Sequence, residues 1–302
     1  MQLYYCKCDG GNVGDDLNPW LWPKLIPQLL DDDPNHLCIG IGSILNNCIP
    51  KANHFTVLTS GVAGVPPSLE RGTWHIVALR GPLSKRKMDI TQQVPLLDGA
   101  YLTPNFLPVF DRGTTSNVGY VPHWRSIEIG QWERVCDRAE VKLVDPRQSV
   151  ETFVREIISC DRVVCEAMHG AILADAYGIP WAPVQVYSHT TEFKWRDWGG
   201  SLELKFDFCE LPPIWRGETT LQMKRKLINN VKRGMSRMGI HPQAWSKVYG
   251  KREPSSEKQI CEASKELRKV INSSVFQVSK VNLRNSKTEL LIEKVQDHFT
   301  AK

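Results

Sequence analysis

The sequence predicts an α/β protein of two Rossmann-like domains that face each other across a cleft, followed by a helical C-terminal tail. Three observations support this fold class. Short apolar runs alternate with longer segments of helical character, glycines follow several of those runs, and a second series of the same kind starts after the loop "FDRGTTS". Such alternation favours parallel sheets, in which ligands bind at the carboxyl ends of the strands.

The first half of the chain contains five candidate strands. They are "MQLYYC", "HLCIGIGSIL", "HFTVLTSGV", "WHIVALRGP", which ends at Arg80, and "VPLLDGAYL". The segment "NPWLWPKLIPQLL", rich in Trp and Pro, is predicted to start a helix or form a turn.

The second half contains four candidate strands and two candidate helices. The strands are "NVGYVPHW", ending at His123, "VKLVDP", "DRVVCE" and "IPWAPVQV". In "QSVETFVREIIS" the spacing of Phe153, Ile157 and Ile158 fits a helix packed on a sheet. The second helix, "MHGAILADAYG", is closed by Gly178.

These series give two domains, at residues 1–112 and 113–250, and a tail at residues 251–302. The tail combines an amphipathic helix, "EKQICEASKELRKVI", with a polar linker, "NSSVFQVSKVNLRNSKTE". We expect the tail either to pack back on the first domain or to lie partly loose.

Composition narrows the class of protein. With 41% hydrophobic and 24% charged residues, the chain of 302 residues has ordinary globular composition. Neither a signal peptide nor a transmembrane helix is expected, because the N-terminus soon turns polar and no run of about 18 apolar residues occurs. Nine scattered cysteines indicate a reducing compartment, so we expect a cytoplasmic protein. Cys6 and Cys8 form a CxC pair without a second pair, so no metal site is expected.

The net charge of +5 is unevenly spread, since residues 222–237 carry six Lys or Arg and no acid. Such a segment is either a solvated helix face or a contact for an anionic partner, such as acidic headgroups at the inner face of a membrane. Nucleic acid is not expected as a partner, because no aromatic residues are interleaved with the basic ones.

Polar side chains follow several predicted strands of the first half. In "GGNVGDDLN", Asp15, Asp16 and Asn18 can cap a helix, contact a sugar hydroxyl or supply a general base. The segment is not a dinucleotide fingerprint, because it lacks GxGxxG and two acids follow the glycines. Arg80 either points into the cleft towards a carboxylate or phosphate, or pairs with a structural acid.

In the second half, Glu166 and His169 stand at the junction between a buried strand and a helix, and His123 ends a neighbouring strand. Imidazole at such a position can bind phosphate or move a proton, although a single His is more often structural. Cys165 is more simply a buried strand residue than a nucleophile. No GxSxG segment occurs, so Ser–His–Asp catalysis is not supported.

Five blocks, in order along the chain, resemble the polysaccharide pyruvyl transferase family, and most closely its exopolysaccharide branch, as in succinoglycan biosynthesis. They are "GNVGDDLNPWLWPKL", "LRGPLS", "YVPHWR", "SCDRVVCEAMHGAILADAYGIPWAPV" and "EFKWRDWGGSL". The resemblance covers roughly residues 1–205 and implies a fold like that of the two-domain glycosyltransferases called GT-B. It implies transfer of pyruvate from phosphoenolpyruvate to two hydroxyls of a terminal sugar in a bacterial exopolysaccharide repeat unit, giving a cyclic ketal and phosphate. The acceptor in the family is commonly a lipid-linked oligosaccharide, and no cofactor is implied.

The resemblance also implies roles for the residues at the strand ends. Phosphoenolpyruvate carries a phosphate and a carboxylate, so its site needs Arg, His and helix N-termini. Arg80 and His169 are expected to bind this donor, with His169 as general acid or phosphate ligand. Glu166 is its partner or the acid itself, and His123 is a second candidate for anion binding or proton transfer.

On the acceptor side, Asp15 is expected to act in catalysis, with Asp16 and Asn18 facing the sugar or supporting the cleft. Trp195 and Arg196 offer a stacking surface and hydrogen bonds that suit a sugar, although "KWRDW" also reads as packing between domains.

One departure from the family pattern concerns the second-domain strand end, where many members read Ser-x-Arg-x-His and this sequence has Ala167 in place of the Arg. The missing positive charge must come from elsewhere, with Arg125 and Arg196 as candidates.

Two other functions stay open. One is a nucleotide-sugar glycosyltransferase on the same fold, and the other is a non-catalytic partner of a polysaccharide assembly complex, bound through residues 222–237.

Overall fold

The computed structural model is a mixed α/β fold with two parallel sheets and C-terminal helices. It describes residues 1–108, 117–187, 191–217 and 253–300, together with residues 227, 228, 230, 231 and 235. The predicted domain boundaries near residues 112 and 250, and most of the basic segment 222–237, lie outside the described residues.

The first sheet has four strands: β1 (Gln2–Tyr4), β2 (His36–Ile39), β3 (His54–Val57) and β4 (Thr73–Ile76). Its order is β1-β2-β3-β4, and every pair is parallel. Three helices accompany it: α1 (Val13–Leu25), α2 (Pro82–Lys87) and α3 (Thr103–Phe106). These four strands were all predicted, but β4 ends four residues before Arg80.

The fifth predicted strand, "VPLLDGAYL", is wrong. Leu79 and Leu96 form only an isolated parallel bridge, and Gly99–Leu102 is a 3₁₀ helix. The reason is local, because the Asp98 side chain accepts a hydrogen bond from the Ala100 N–H at 3.0 Å. An Asp in this position starts a helical turn and ends the extended backbone.

The second sheet has five parallel strands in the order β6-β5-β7-β8-β9. They are β5 (Val118–Val121), β6 (Lys142–Leu143), β7 (Arg162–Cys165), β8 (Trp181–Gln185) and β9 (Cys209–Glu210), of which only β9 was not predicted. The helices between them are α4 (Trp124–Ile129), α5 (Trp132–Ala139), α6 (Val150–Ile158) and α7 (Met168–Ala176). Gly178 follows α7 with φ +71°, as expected of a residue that closes a helix.

Helix α1 tolerates an internal proline because a side chain replaces the missing backbone donor. Pro19 has no N–H for the carbonyl of Asp15, four residues earlier. Asn18 Nδ2 donates to that carbonyl at 3.0 Å and to Ile41 O at 3.0 Å. Asn18 Oδ1 accepts from Trp22 Nε1 and from the Ile41 N–H. The fully buried Asn18 amide is therefore saturated, which corrects the expectation that it faces a sugar.

Three further helices follow β8: α8 (Glu192–Ser201), α9 (Glu257–Ser273) and α10 (Val281–Thr300). A capping box between Ser256 and Gln259 starts α9, which packs on α5. The predicted linker is wrong in its second part, because α10 is helical there and packs on the 3₁₀ helix of the first half. Among the described residues, no helix has the length and apolar run needed to cross a bilayer.

A buried ion pair joins the halves. Arg80 Nε lies 3.0 Å from Asp197 Oδ2, and both side chains have 0% exposure. Asp197 also accepts from the N–H of Ser84 at 2.8 Å and from its hydroxyl at 2.5 Å, and Arg80 Nη1 donates to Ser43. Helix α8, which follows the second sheet in the chain, is thereby fixed on α2 of the first half.

A second buried carboxylate, Asp175 in α7, joins three parts of the chain. It accepts hydrogen bonds from Tyr101 Oη at 2.8 Å, from Trp181 Nε1 at 3.0 Å and from the Ser279 N–H at 2.7 Å. Burial of a carboxylate is costly unless donors surround it, and here they come from the first half, from β8 and from the segment before α10.

The Asp197→Ala substitution is expected to destabilise the fold by about 3–5 kcal/mol, because it leaves the Arg80 charge buried without a partner. The matched control is Glu192→Ala on the same helix. It removes an exposed pair with Arg196, which is expected to contribute about 0–1 kcal/mol. Urea unfolding followed by circular dichroism measures both. Equal midpoints for the two variants would show that the buried pair is unimportant for stability.

Candidate active site

The loop between β1 and α1 faces the strand ends of the second sheet. The Val13 N–H donates to Pro146 O at 2.7 Å, and a Cβ on Gly11 would lie 2.5 Å from Arg147 O. A Cβ on Gly14 would lie 2.1 Å from His169 Nδ1, closer than any real Cβ contact. Only hydrogen fits at Gly14, so His169 packs directly on the backbone of α1. We call this contact region between the two halves the seam.

His169 lies at the seam with a buried acid beside it. Its side chain is 14% exposed, and Nε2 is 3.7 Å from Oδ2 of Asp98, which is fully buried. Neither atom has a hydrogen-bond partner among the residues that the structure describes. The distance is too long for a hydrogen bond, so a small rotation of the imidazole is needed to form one. Asp98 can then accept a hydrogen bond from the ring and orient it.

Glu166 connects β7 to the start of α4. One carboxylate oxygen accepts from the His123 N–H at 2.9 Å, and the other accepts from the Ser126 hydroxyl at 2.8 Å. His123 caps α4, with Nδ1 accepting from the Arg125 N–H at 3.3 Å. Both predicted residues therefore lie at the strand ends as expected, and Glu166 holds the two strand ends together.

Lys194 is a residue of the seam that the sequence reasoning missed. It is half-buried in α8, and burial lowers the pKa of its ammonium to about 8. The positive charge of Arg80 lowers the pKa further, whereas the carboxylates of Glu166 and Asp15 act in the opposite direction. Arg80 and Asp15 belong to the first half and Glu166 to the second, so charges from both halves act on Lys194. The available signal was a Lys inside "EFKWRDWGGSL", which was read for its aromatic residues.

Arg80 does not point into an open cleft. It is fully buried, and a Cβ on Gly61 would lie 2.2 Å from its Cζ, so that loop covers the guanidinium. The structure corresponds to the alternative interpretation, an Arg paired with a structural acid. One nitrogen, Nη2, still has no hydrogen-bond partner in the described part of the chain.

Asp15 and Asp16 occupy the first turn of α1, where the helix dipole favours acids. Asp15 Oδ2 accepts from Asn12 Nδ2 at 2.6 Å and from Cys8 Sγ at 3.3 Å. Burial and the Asp15 charge raise the pKa of Asp16, and the Asn12 N–H, 3.0 Å from Asp16 Oδ2, lowers it. Burial, followed by the charge of Asp15, raises the pKa of the Cys8 thiol to about 12.

Trp195 does not provide a sugar-stacking surface. Its side chain has 0% exposure and contacts an aromatic cluster that includes Trp181, Trp198 and Phe206. Arg196 is held by Glu192 at 3.1 Å and stacks on Phe206. The structure corresponds to the packing interpretation of "KWRDW", in which Arg196 already has Glu192 and Phe206 as partners.

Polar side chains at the carboxyl ends of parallel strands, facing a glycine-containing loop of the other half, are typical of an α/β enzyme. The family model described as polysaccharide pyruvyl transferase matches residues 76–187. The succinoglycan biosynthesis protein ExoV of Rhizobium meliloti (strain 1021) is 35% identical over 230 residues, which cover 74% of this chain and 72% of ExoV. No solved structure matches the chain. The chain therefore belongs to the polysaccharide pyruvyl transferase family and is a transferase.

The Gly14→Ala substitution is expected to lower transferase activity by about a hundredfold, because the added methyl must displace His169 by an ångström or more. Gly10→Ala is the matched control in the same loop, since its nearest neighbour, Glu128 Oε1, would be 3.8 Å away. Initial rates and melting temperatures of both variants check this. Full activity of the Gly14 variant would show that the position of His169 is not critical.

Proposed function

We propose that this transferase moves pyruvate from phosphoenolpyruvate to two hydroxyls of a terminal sugar in a bacterial exopolysaccharide repeat unit, forming a cyclic ketal and releasing phosphate. The observation that carries the proposal is His169, whose Nε2 has no hydrogen-bond partner among the described residues and lies 3.7 Å from the buried Asp98 carboxylate. The donor must be protonated at carbon and bound as an anion, so the site needs such a proton-transferring group together with a cation, and Lys194 is our candidate for the cation. The two-domain GT-B arrangement is part of the same proposal.

The donor phosphate and carboxylate are assigned to the start of α7. Its N-cap residue, Ala167, provides no side-chain hydrogen bond, so backbone N–H groups at this end are available for an anion. Lys194 supplies the positive charge that the family Arg would supply at Ala167. Exposed Arg125 is a second source, because its charge acts on Lys194. Arg80 contributes by holding α8, through Asp197, in the place where Lys194 reaches the seam.

The chemistry follows from these assignments. His169, protonated and oriented by Asp98, gives its proton to the methylene carbon of the donor, which leaves an oxocarbenium-like centre at C2. A sugar hydroxyl attacks C2, and its proton passes to a carboxylate of the first turn of α1, Asp15 or Asp16. The C2–O bond to phosphate then breaks, and phosphate leaves with the electron pair. The second hydroxyl attacks C2 and closes the ring, and its proton passes to the neutral His169 imidazole, which returns to its starting form.

The acceptor is assigned from the relative and from surface chemistry. ExoV is described as a succinoglycan biosynthesis protein, which supports a polysaccharide acceptor. We assign a lipid-linked form of it at the cytoplasmic face of the membrane. Leu227, Ile228 and Val231 are exposed apolar residues inside the basic segment 222–237, a combination that suits contact with anionic headgroups.

A thermal-shift panel tests the donor assignment. Phosphoenolpyruvate at about 100 times its dissociation constant should stabilise the protein by roughly 2.7 kcal/mol, which raises the melting temperature by several degrees. Inorganic phosphate and nucleotide sugars should raise it little. Lys194→Ala should abolish the shift, whereas Lys205→Ala, an exposed lysine, should retain it. A shift with a nucleotide sugar alone would favour the glycosyltransferase instead.

The pH dependence of donor affinity provides a second test. Lys194 is protonated below its pKa of about 8 and loses its charge above it. Donor affinity should therefore fall as pH rises from about 7 to 10. Because the bound anion raises the pKa of Lys194, the fall extends to a higher pH than the pKa of the free protein alone would give. In Lys194→Arg the charge persists throughout, so affinity should stay level over this range. Titration calorimetry measures it, and an unchanged decline in the Arg variant would exclude Lys194 as its cause.

A further inference from the structure

Three side chains with metal-binding atoms meet at the start of α1. Cys6 and Cys8 lie in the loop after β1, and Asp15 lies in the first turn of α1. Their two sulfurs and one carboxylate oxygen all lie within 4.8 Å of one another, with Cys8 Sγ 3.3 Å from Asp15 Oδ2. The sequence showed only the CxC pair, and folding adds the third group.

Two thiols and one carboxylate are the kinds of ligand that zinc binds in proteins. Zinc binds thiolates at about 2.3 Å and carboxylates at about 2.0–2.2 Å in tetrahedral geometry. Two thiolates of one tetrahedral ion are therefore about 3.8 Å apart, so the three groups need only a small contraction to close on it. Three protein ligands leave the fourth position open for water or a substrate oxygen.

Hydrogen bonds within the loop position Cys8 and Asp15 without a cation. Gly11, at φ +80°, turns the loop, and its N–H donates to Cys8 O at 3.0 Å. Asn12 Nδ2 donates to Asp15 Oδ2 at 2.6 Å and so orients the carboxylate. Such outer hydrogen bonds to a ligating carboxylate are usual in metal sites.

We propose that Cys6, Cys8 and Asp15 bind one divalent cation of the zinc type, with its open position facing the seam. The charge balances closely, because two thiolates and a carboxylate carry three negative charges and the cation carries two positive ones. For the reaction, and resting on the proposed function, Asp15 then serves as a ligand and Asp16 is the carboxylate that accepts the hydroxyl proton. An acceptor hydroxyl in the open position is polarised by the cation.

Metal content of the full-length chain tests the site directly. After growth with zinc and dialysis, mass spectrometry should find about one zinc per chain in the native protein. Cys6→Ser/Cys8→Ser and Asp15→Asn should each hold less than about a tenth of that amount. The matched control is Cys261→Ser, which changes a half-buried thiol in α9 and should retain the metal.

A second measurement covers variants that fail to fold. Native protein reconstituted with Co²⁺ should show thiolate-to-cobalt charge-transfer absorption, and bound zinc should protect Cys6 and Cys8, but not Cys261, from alkylation. Absence of metal under both conditions, equal metal in the double Cys variant, or a Cys6–Cys8 disulfide in protein purified under reducing conditions would overturn the proposal. None of these readouts uses phosphoenolpyruvate, so failure of the metal site and failure of the donor assignment are distinguishable.

Discussion

The buried ion pair between Arg80 and Asp197 is the constraint on which the arrangement of the two halves depends. A guanidinium and a carboxylate without solvent are stable only in good geometry, with their remaining hydrogen-bonding groups occupied. Ser43 and Ser84 supply most of that here. Because Asp197 lies on α8 and Arg80 follows β4, the pair fixes the position of Lys194, three residues before Asp197, relative to the first sheet. The sequence left two roles open for Arg80, substrate binding and a structural ion pair. The structure shows the ion pair, which sets the position of a residue of the candidate site.

The seam belongs to the hydrophobic core and also contains the residues of the candidate site. One hydrophobic cluster contains residues of both halves, including Leu17 and Trp22 of α1 and Phe153 and Ala171 of the second half. The polar groups of the candidate site, His169 among them, lie at the rim of this packed region. Dry surroundings strengthen electrostatic interactions, and tight packing limits how far the imidazole can move. Placement of these groups therefore follows from the same contacts that stabilise the fold.

Most strands and the larger helices could be predicted from alternation and periodicity, because β2, β3, β7 and α7 have clear apolar patterns. The 3₁₀ helix in "VPLLDGAYL" could not be predicted, since it depends on the hydrogen bond that the Asp98 side chain accepts from the Ala100 N–H. His123, Glu166 and His169 lie at the strand ends where the strand-end rule predicted them. The rule could not separate exposed from buried groups, so it could not choose between the exposed and the buried role of Asn18, Arg80 and Trp195. Asp98 was missed because only the packing of the two halves brings it to His169, and Lys194 was missed because it lies within a helix and not at a strand end.

Asn18 and Pro19 form a single unit for substitution. The amide of Asn18 donates the hydrogen bond to Asp15 O that the backbone of Pro19 cannot donate. The same amide also donates to Ile41 O. Loss of Asn18 alone leaves the carbonyl of Asp15 without its donor. Replacement of Pro19 by another residue restores a backbone N–H that can donate to Asp15 O, so the hydrogen bond from Asn18 to that carbonyl is no longer needed. The effects of substitutions at these two positions on stability are therefore expected to be non-additive.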